Sequence, residues 1–115
     1  MNTLVLNKIL FLDIETVPQA KVWDDLDERT QNLWAKKTEH QRKDEISPAD
    51  YYADRAGILA EFGKIVCISC GIIHQNNIRI KSFFGHNEKK ILEDFVQMLN
   101  TNYQQNDQLL CAHNG

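Results

Sequence analysis

Lys8-Ile9-Leu10-Phe11-Leu12-Asp13-Ile14-Glu15-Thr16-Val17-Pro18 is the stretch that decides the fold. Four consecutive apolar residues, Ile9 to Leu12, end in carboxylates and a proline, the pattern of a central strand buried on both faces. Pro18 has no N–H to give to a ladder, so pairing is expected to stop before it. On a strand, residues two apart share a face, so Asp13 and Glu15 project together from the strand end.

Outward from this strand the composition changes. From Gln19 to about Ala56, Val22, Trp23, Leu26, Leu33 and Trp34 recur at roughly helical spacing on a polar background. Ser47-Pro48-Ala49-Asp50 has the form of a helix start with proline in the first turn. This block is expected to be two helices or a partly mobile insertion, in its simplest form a solvated helical flap. Gly63-Lys64 is followed by Ile65 to Ile73, the most β-prone run in the chain. After the turn cluster Gln75-Asn76-Asn77, Ile78, Ile80 and Ser82 alternate with Arg79, Lys81 and Phe83, which predicts a hairpin with one core face and one polar face. Asn87 is placed to cap a helix whose inner face carries Ile91, Leu92, Phe95, Val96 and Leu99. A polar loop from Thr101 to Gln108 then leads to a short strand at Leu109-Leu110-Cys111-Ala112. Strand, helical insertion, hairpin, helix and strand together make an α/β fold, a mixed sheet with a helix crossing its face.

The chain has 115 residues, 43% of them hydrophobic and 25% charged, which suits one compact domain and excludes disordered, collagen-like and coiled-coil classes. A net charge of −3 provides no global basic field, so a nucleic-acid partner would be held by a local patch or through metal ions. Three cysteines, an odd number without a secretory pattern, point to a reducing compartment and a cytoplasmic protein. The apolar run near Met1 is too short to span a bilayer, so no membrane association is expected.

The chemistry concentrates at Asp13 and Glu15. Paired carboxylates suit Mg²⁺ or Mn²⁺, and two such ions about 3.5–4 Å apart can clamp the attacking and leaving oxygens of a phosphodiester. Other residues carry weaker signals. Cys67 and Cys70 have C-x-x-C spacing beside His74, but positions three apart on a strand face opposite ways, so these are expected to be structural cysteines. His40, His74 and His86 are expected at the surface. Trp23, Trp34, Tyr51 and Tyr52, interleaved with Lys36, Lys37, Arg42, Lys43 and Arg55, form either core plus solvated surface or a substrate-guiding flap.

Phe11-Leu12-Asp13-Ile14-Glu15-Thr16-Val17-Pro18 resembles the first motif of the DEDD 3′–5′ exonucleases. It is most like the predicted exonucleases related to the proofreading domain of family-B DNA polymerases. Glu61 to Ser69 looks like that branch's second strand, and Leu110-Cys111-Ala112-His113-Asn114-Gly115 looks like the start of its second motif. The resemblance implies a ribonuclease H-like mixed sheet with flanking helices, truncated at the C-terminal side. On this reading residues 1–115 are the N-terminal part of a single exonuclease domain with a helical insertion at about 19–56. Asp13 and Glu15 would be its catalytic, metal-binding carboxylates, holding two divalent ions, Mg²⁺ or Mn²⁺. Thr16, Val17, His113 and Asn114 would be substrate-binding residues. The partner would be a single-stranded DNA or RNA 3′ end. The family's remaining carboxylates and general base fall after Gly115, so the chain alone is expected to be inactive or nearly so, and to expose apolar sheet surface.

Two other readings remain. The chain could be a non-catalytic nucleic-acid-binding relative of the fold. The first motif also superficially resembles haloacid-dehalogenase-type phosphatases, although these need a second Asp where Glu15 stands.

Overall fold

The computed structural model of the chain describes residues 5–43 and 45–113. After a single 3-10 turn at Leu6–Lys8, the elements are β1 (Ile9–Pro18), a 3-10 turn (Trp23–Asp25), α1 (Glu28–Thr38), α2 (Pro48–Arg55), β2 (Gly63–His74), β3 (Asn77–Phe84), α3 (Glu88–Asn102) and β4 (Leu109–Ala112). The protein is α/β, with a four-stranded mixed sheet of order β3-β2-β1-β4. β1 lies inside the sheet, as its uninterrupted apolar run requires, with the hairpin strand β2 on one side and β4 on the other. β1 and β4 are parallel, pairing Ile9 with Leu109 through Leu12 with Ala112. β2 and β3 are antiparallel, closing on the pair His74 and Asn77. The two residues between them, Gln75 and Asn76, have φ of 50° and 64°, the left-handed backbone of a two-residue hairpin turn.

Pairing does not stop before Pro18. The proline is the last residue of β1, and the Gln19 N–H donates to the Phe62 carbonyl at 2.8 Å. Consecutive N–H groups of a strand point to opposite sides, so the donor missing at Pro18 leaves the Gln19 bond to Phe62 intact.

Composition suggested one core, but the chain divides into two compact units, residues 1–15 with 65–115, and residues 16–64. The boundaries of the second unit are wider than the 19–56 insertion expected from sequence. They include the end of β1 and the start of β2.

In the first unit, α3 packs across one sheet face. Leu10, Ile68, Cys70, Phe83 and Ile91 form its core, with Leu12, Ile72, Phe95, Met98, Leu99 and Tyr103 packed against them. Asn87 caps α3 as expected, its side chain accepting the Lys90 N–H. Glu88, in the first turn, accepts the Ile65 N–H at 2.6 Å and ties the helix to β2. The inner stripe is rotated from the expected one. Leu92 and Val96 are exposed, while Met98 and Tyr103 turn inward. The helix also runs to Asn102, into the segment expected to be loop, because Tyr103 packs on the core and its N–H still reaches the Leu99 carbonyl.

The hairpin faces are inverted relative to expectation. Ile78 and Ile80 are 71% and 73% exposed, whereas Phe83 is buried against α3. Pairing Phe83 with Ile68 puts Arg79, Lys81 and Phe83 on the helix side, and a strand's period of two then places every alternate residue on the other face. Two adjacent phenylalanines, Phe83 and Phe84, made either parity available, and α3 selected one. Phe84, Ile80 and Ile78 therefore form an exposed apolar sheet surface.

The second unit is a small aromatic core rather than a solvated flap. Trp34, Tyr52, Ala56 and Phe62 are buried together, with Trp23, Leu26, Tyr51 and Leu59 packed around them. Val22 and Leu33 of the expected stripe face solvent. Caps match their sequence signals. Asp27 accepts the Thr30 N–H at 2.7 Å to open α1, and hydrogen bonding from Thr30 holds its carboxyl below the usual range. Ser47 accepts the Asp50 N–H at 3.1 Å with Pro48 in the first turn of α2. Thr38, fully buried, donates to the Trp34 carbonyl and accepts from Arg42, whose guanidinium also reaches the carbonyls of Ala35 and Ile46. Arg42 thus closes the C-terminal end of α1.

The Tyr52 hydroxyl accepts the Ala20 N–H at 3.0 Å and donates to the Ala20 carbonyl at 2.8 Å. Tyr52→Phe leaves both backbone groups without that partner, and an expected loss of about 1–3 kcal/mol follows from the cost of orphaned polar groups. Urea unfolding measures it, and an unchanged midpoint would mean that the hydroxyl contributes nothing. Among the described residues, no helix is long and apolar enough to cross a membrane.

Candidate active site

Leu10 and Leu12 pack on the α3 side of β1, so strand alternation puts Phe11, Asp13 and Glu15 on the opposite face. Phe11 confirms the parity, since its Cβ lies 4.0 Å from where a side chain on Gly71 would begin, beside Ile80. Asp13 and Glu15 are both exposed and follow one another on that face, about 7 Å apart along the strand at β spacing. They stand on an open strand face, not in a hollow, and three more residues of β1 follow Glu15.

The parallel register brings a third residue to the same end. Leu12 pairs with Ala112, so Asp13 and His113 are the next residues on neighbouring strands. His113 is exposed in the turn that follows β4. Asn114 lies outside the described residues.

Thr16 and Val17 are described within the second unit. The Thr16 hydroxyl donates to the Gly57 carbonyl, so it is already engaged by protein. Val17 is 40% exposed. A Cβ on Gly57 would come 3.3 Å from the Val17 carbonyl carbon, and one on Gly63 would come 2.7 Å from the Gly57 oxygen. These two glycines let the segment after α2 close against the backbone at Val17. Sequence reasoning passed over them, although glycines flanking a short segment signal close backbone approach.

Asp13 and Glu15 offer hard oxygen donors, and Mg²⁺ is commonly held by one or two carboxylates with waters and phosphate oxygens. The donor set therefore fits such a cation in kind. Among the described residues, no three His, Cys, Asp or Glu side chains converge on one point. Cys67 and Cys70 take opposite sheet faces, as their spacing implied, and burial pushes the Cys70 thiol up, with Cys67 adding to the shift. His40, His74 and His86 are exposed.

The aromatic and basic residues of the second unit divide by role. Trp34 and Tyr52 are buried at 0% and 1% exposure and have no face free for a base. Arg42 is committed to α1, and Lys37 pairs with Glu61. Lys36 and Lys43 face solvent. Core plus surface describes this block.

No protein-family model, curated protein or solved structure matches the chain.

Proposed function

We propose that this chain belongs to a ribonuclease H-like 3′–5′ exonuclease, in which Asp13 and Glu15 bind the divalent ions that act on a single-stranded DNA or RNA end. The observation that carries this reading is the placement of both carboxylates on one open face of β1, just past the residues that pair with β4. Sheet pairing of β1 supports the backbone that carries the two carboxylates, and charge stabilisation during phosphoryl transfer requires such a fixed arrangement. Mg²⁺ or Mn²⁺ bound there supplies an activated water and neutralises developing negative charge. Thr16 and Val17 enter the proposal from the sequence resemblance alone, as contacts to the terminal nucleotide, and the Thr16 hydroxyl is already held by the Gly57 carbonyl. His113 and Asn114 would approach the substrate from the end of β4.

Titration with Mn²⁺ by calorimetry tests the reading on the chain as it stands. Saturable binding is expected, with loss of the heat in both Asp13→Ala and Glu15→Ala. Indistinguishable isotherms for the three proteins would reduce the pair to an acidic strand end.

A further inference from the structure

The first unit contains a hollow of about 350 Å³ between α3 and the sheet, unconnected with Asp13 and Glu15. That volume falls at the small end of ligand pockets, about 300–1,000 Å³. Its floor is apolar. Leu10 and Cys70 are almost wholly buried, and Ile72 and Met98 continue the wall. Tyr103 closes the side next to Cys70, where burial raises its hydroxyl's pKa.

The mouth is cationic. The inverted hairpin parity places Arg79 and Lys81 on the α3 side, where both line the opening. Among the described residues neither has a carboxylate within ion-pair distance; Lys81 lies 5.1 Å from the centre of the Phe83 ring. An apolar pocket lined also by two cations outside any ion pair is complementary to a molecule with a hydrocarbon body and an anionic head. The aliphatic stems of Arg79 and Lys81 extend the apolar wall while their charges stay in water, where a carboxylate can meet them.

We infer that this hollow is a binding site for a small amphipathic carboxylate, its hydrocarbon body against Leu10, Cys70, Ile72 and Met98 and its head group between Arg79 and Lys81. The site lies on the sheet face opposite Asp13 and Glu15, so it stands independently of the exonuclease reading. The hairpin sequence shows why Arg79 and Lys81 tolerate a helix-facing position: they border a cavity rather than packed core.

Octanoate is a suitable probe, with 1-octanol as its uncharged counterpart. In a titration of the isotopically labelled chain followed by NMR, octanoate is expected to shift the amide signals of Cys70, Ile72, Met98 and Tyr103 saturably at up to millimolar concentration. The double variant Arg79→Met, Lys81→Met, which keeps the apolar stems, should bind octanoate about tenfold more weakly, the effect of one hydrogen bond to a charged group. Its affinity for 1-octanol should be unchanged. Met98→Trp, which fills the hollow, should abolish both. Each variant is compared at a matched folded population, verified by its amide spectrum. Absence of saturable shifts, equal octanoate affinity in the double variant, or shifts confined to Ile78, Ile80 and Phe84 would each overturn the inference.

Discussion

Trp34→Ala is expected to destabilise the second unit by about 3–5 kcal/mol, the range for emptying a large aromatic site in a core. The indole is fully buried and packs edge-on against Tyr52 and Phe62, with ring centres 5.3 and 4.9 Å away. Its Nε1–H donates to the Pro48 carbonyl at 2.9 Å, so the same side chain fills the core and ties α1 to α2. Domain stabilities are about 5–15 kcal/mol, so a loss of this size approaches unfolding. Trp34→Phe keeps a ring in the core while removing the hydrogen bond and part of the indole volume, so its loss should be smaller than that of the alanine variant. Near-ultraviolet circular dichroism and urea unfolding report the result. A loss below about 1 kcal/mol for the alanine variant, the ordinary range of a typical substitution, would contradict a central role for the indole.

The second large effect is expected at Leu10, where substitution by alanine should cost about 2–5 kcal/mol. Leu10 is 1% exposed and lies on the internal strand among Ile68, Cys70, Phe83 and Ile91. Its register partner Leu110, on the edge strand β4, is 58% exposed. The pair forms an internal control, because the side chain and register match while strand position and burial differ. Leu110→Ala should change stability by no more than about 0.5 kcal/mol, as at other surface positions. Equal losses at the two positions, measured by chemical denaturation, would remove the distinction between internal and edge strand on which the placement of Asp13 and Glu15 rests.

Several elements were legible because their signals are local. Ile9 to Leu12 marked an internal strand, Ser47-Pro48 and Asn87 marked helix starts, and Gln75-Asn76 marked the turn that the structure closes with positive φ. The shared face of Asp13 and Glu15 was legible for the same reason, since alternation on a strand needs no tertiary information. What failed was choice between equivalent faces. Ile78 and Ile80 offered the hairpin an apolar side, yet Phe83 took the core. Leu92 and Val96 matched a helical stripe, yet Met98 and Tyr103 took it.

The sequence by itself determined the order of elements, the internal position of β1 and the pairing of the two carboxylates on one face. Turn chemistry, caps and strand period act over a few residues, and each is present in the chain before it folds. Only the tertiary structure decided that Trp34 and Tyr52 form a core, that Arg79 and Lys81 border a hollow, and that His113 leaves the sheet beside Asp13. Those outcomes depend on which surfaces bury the most apolar area together, a choice made between segments far apart in sequence and therefore carried by none of them alone.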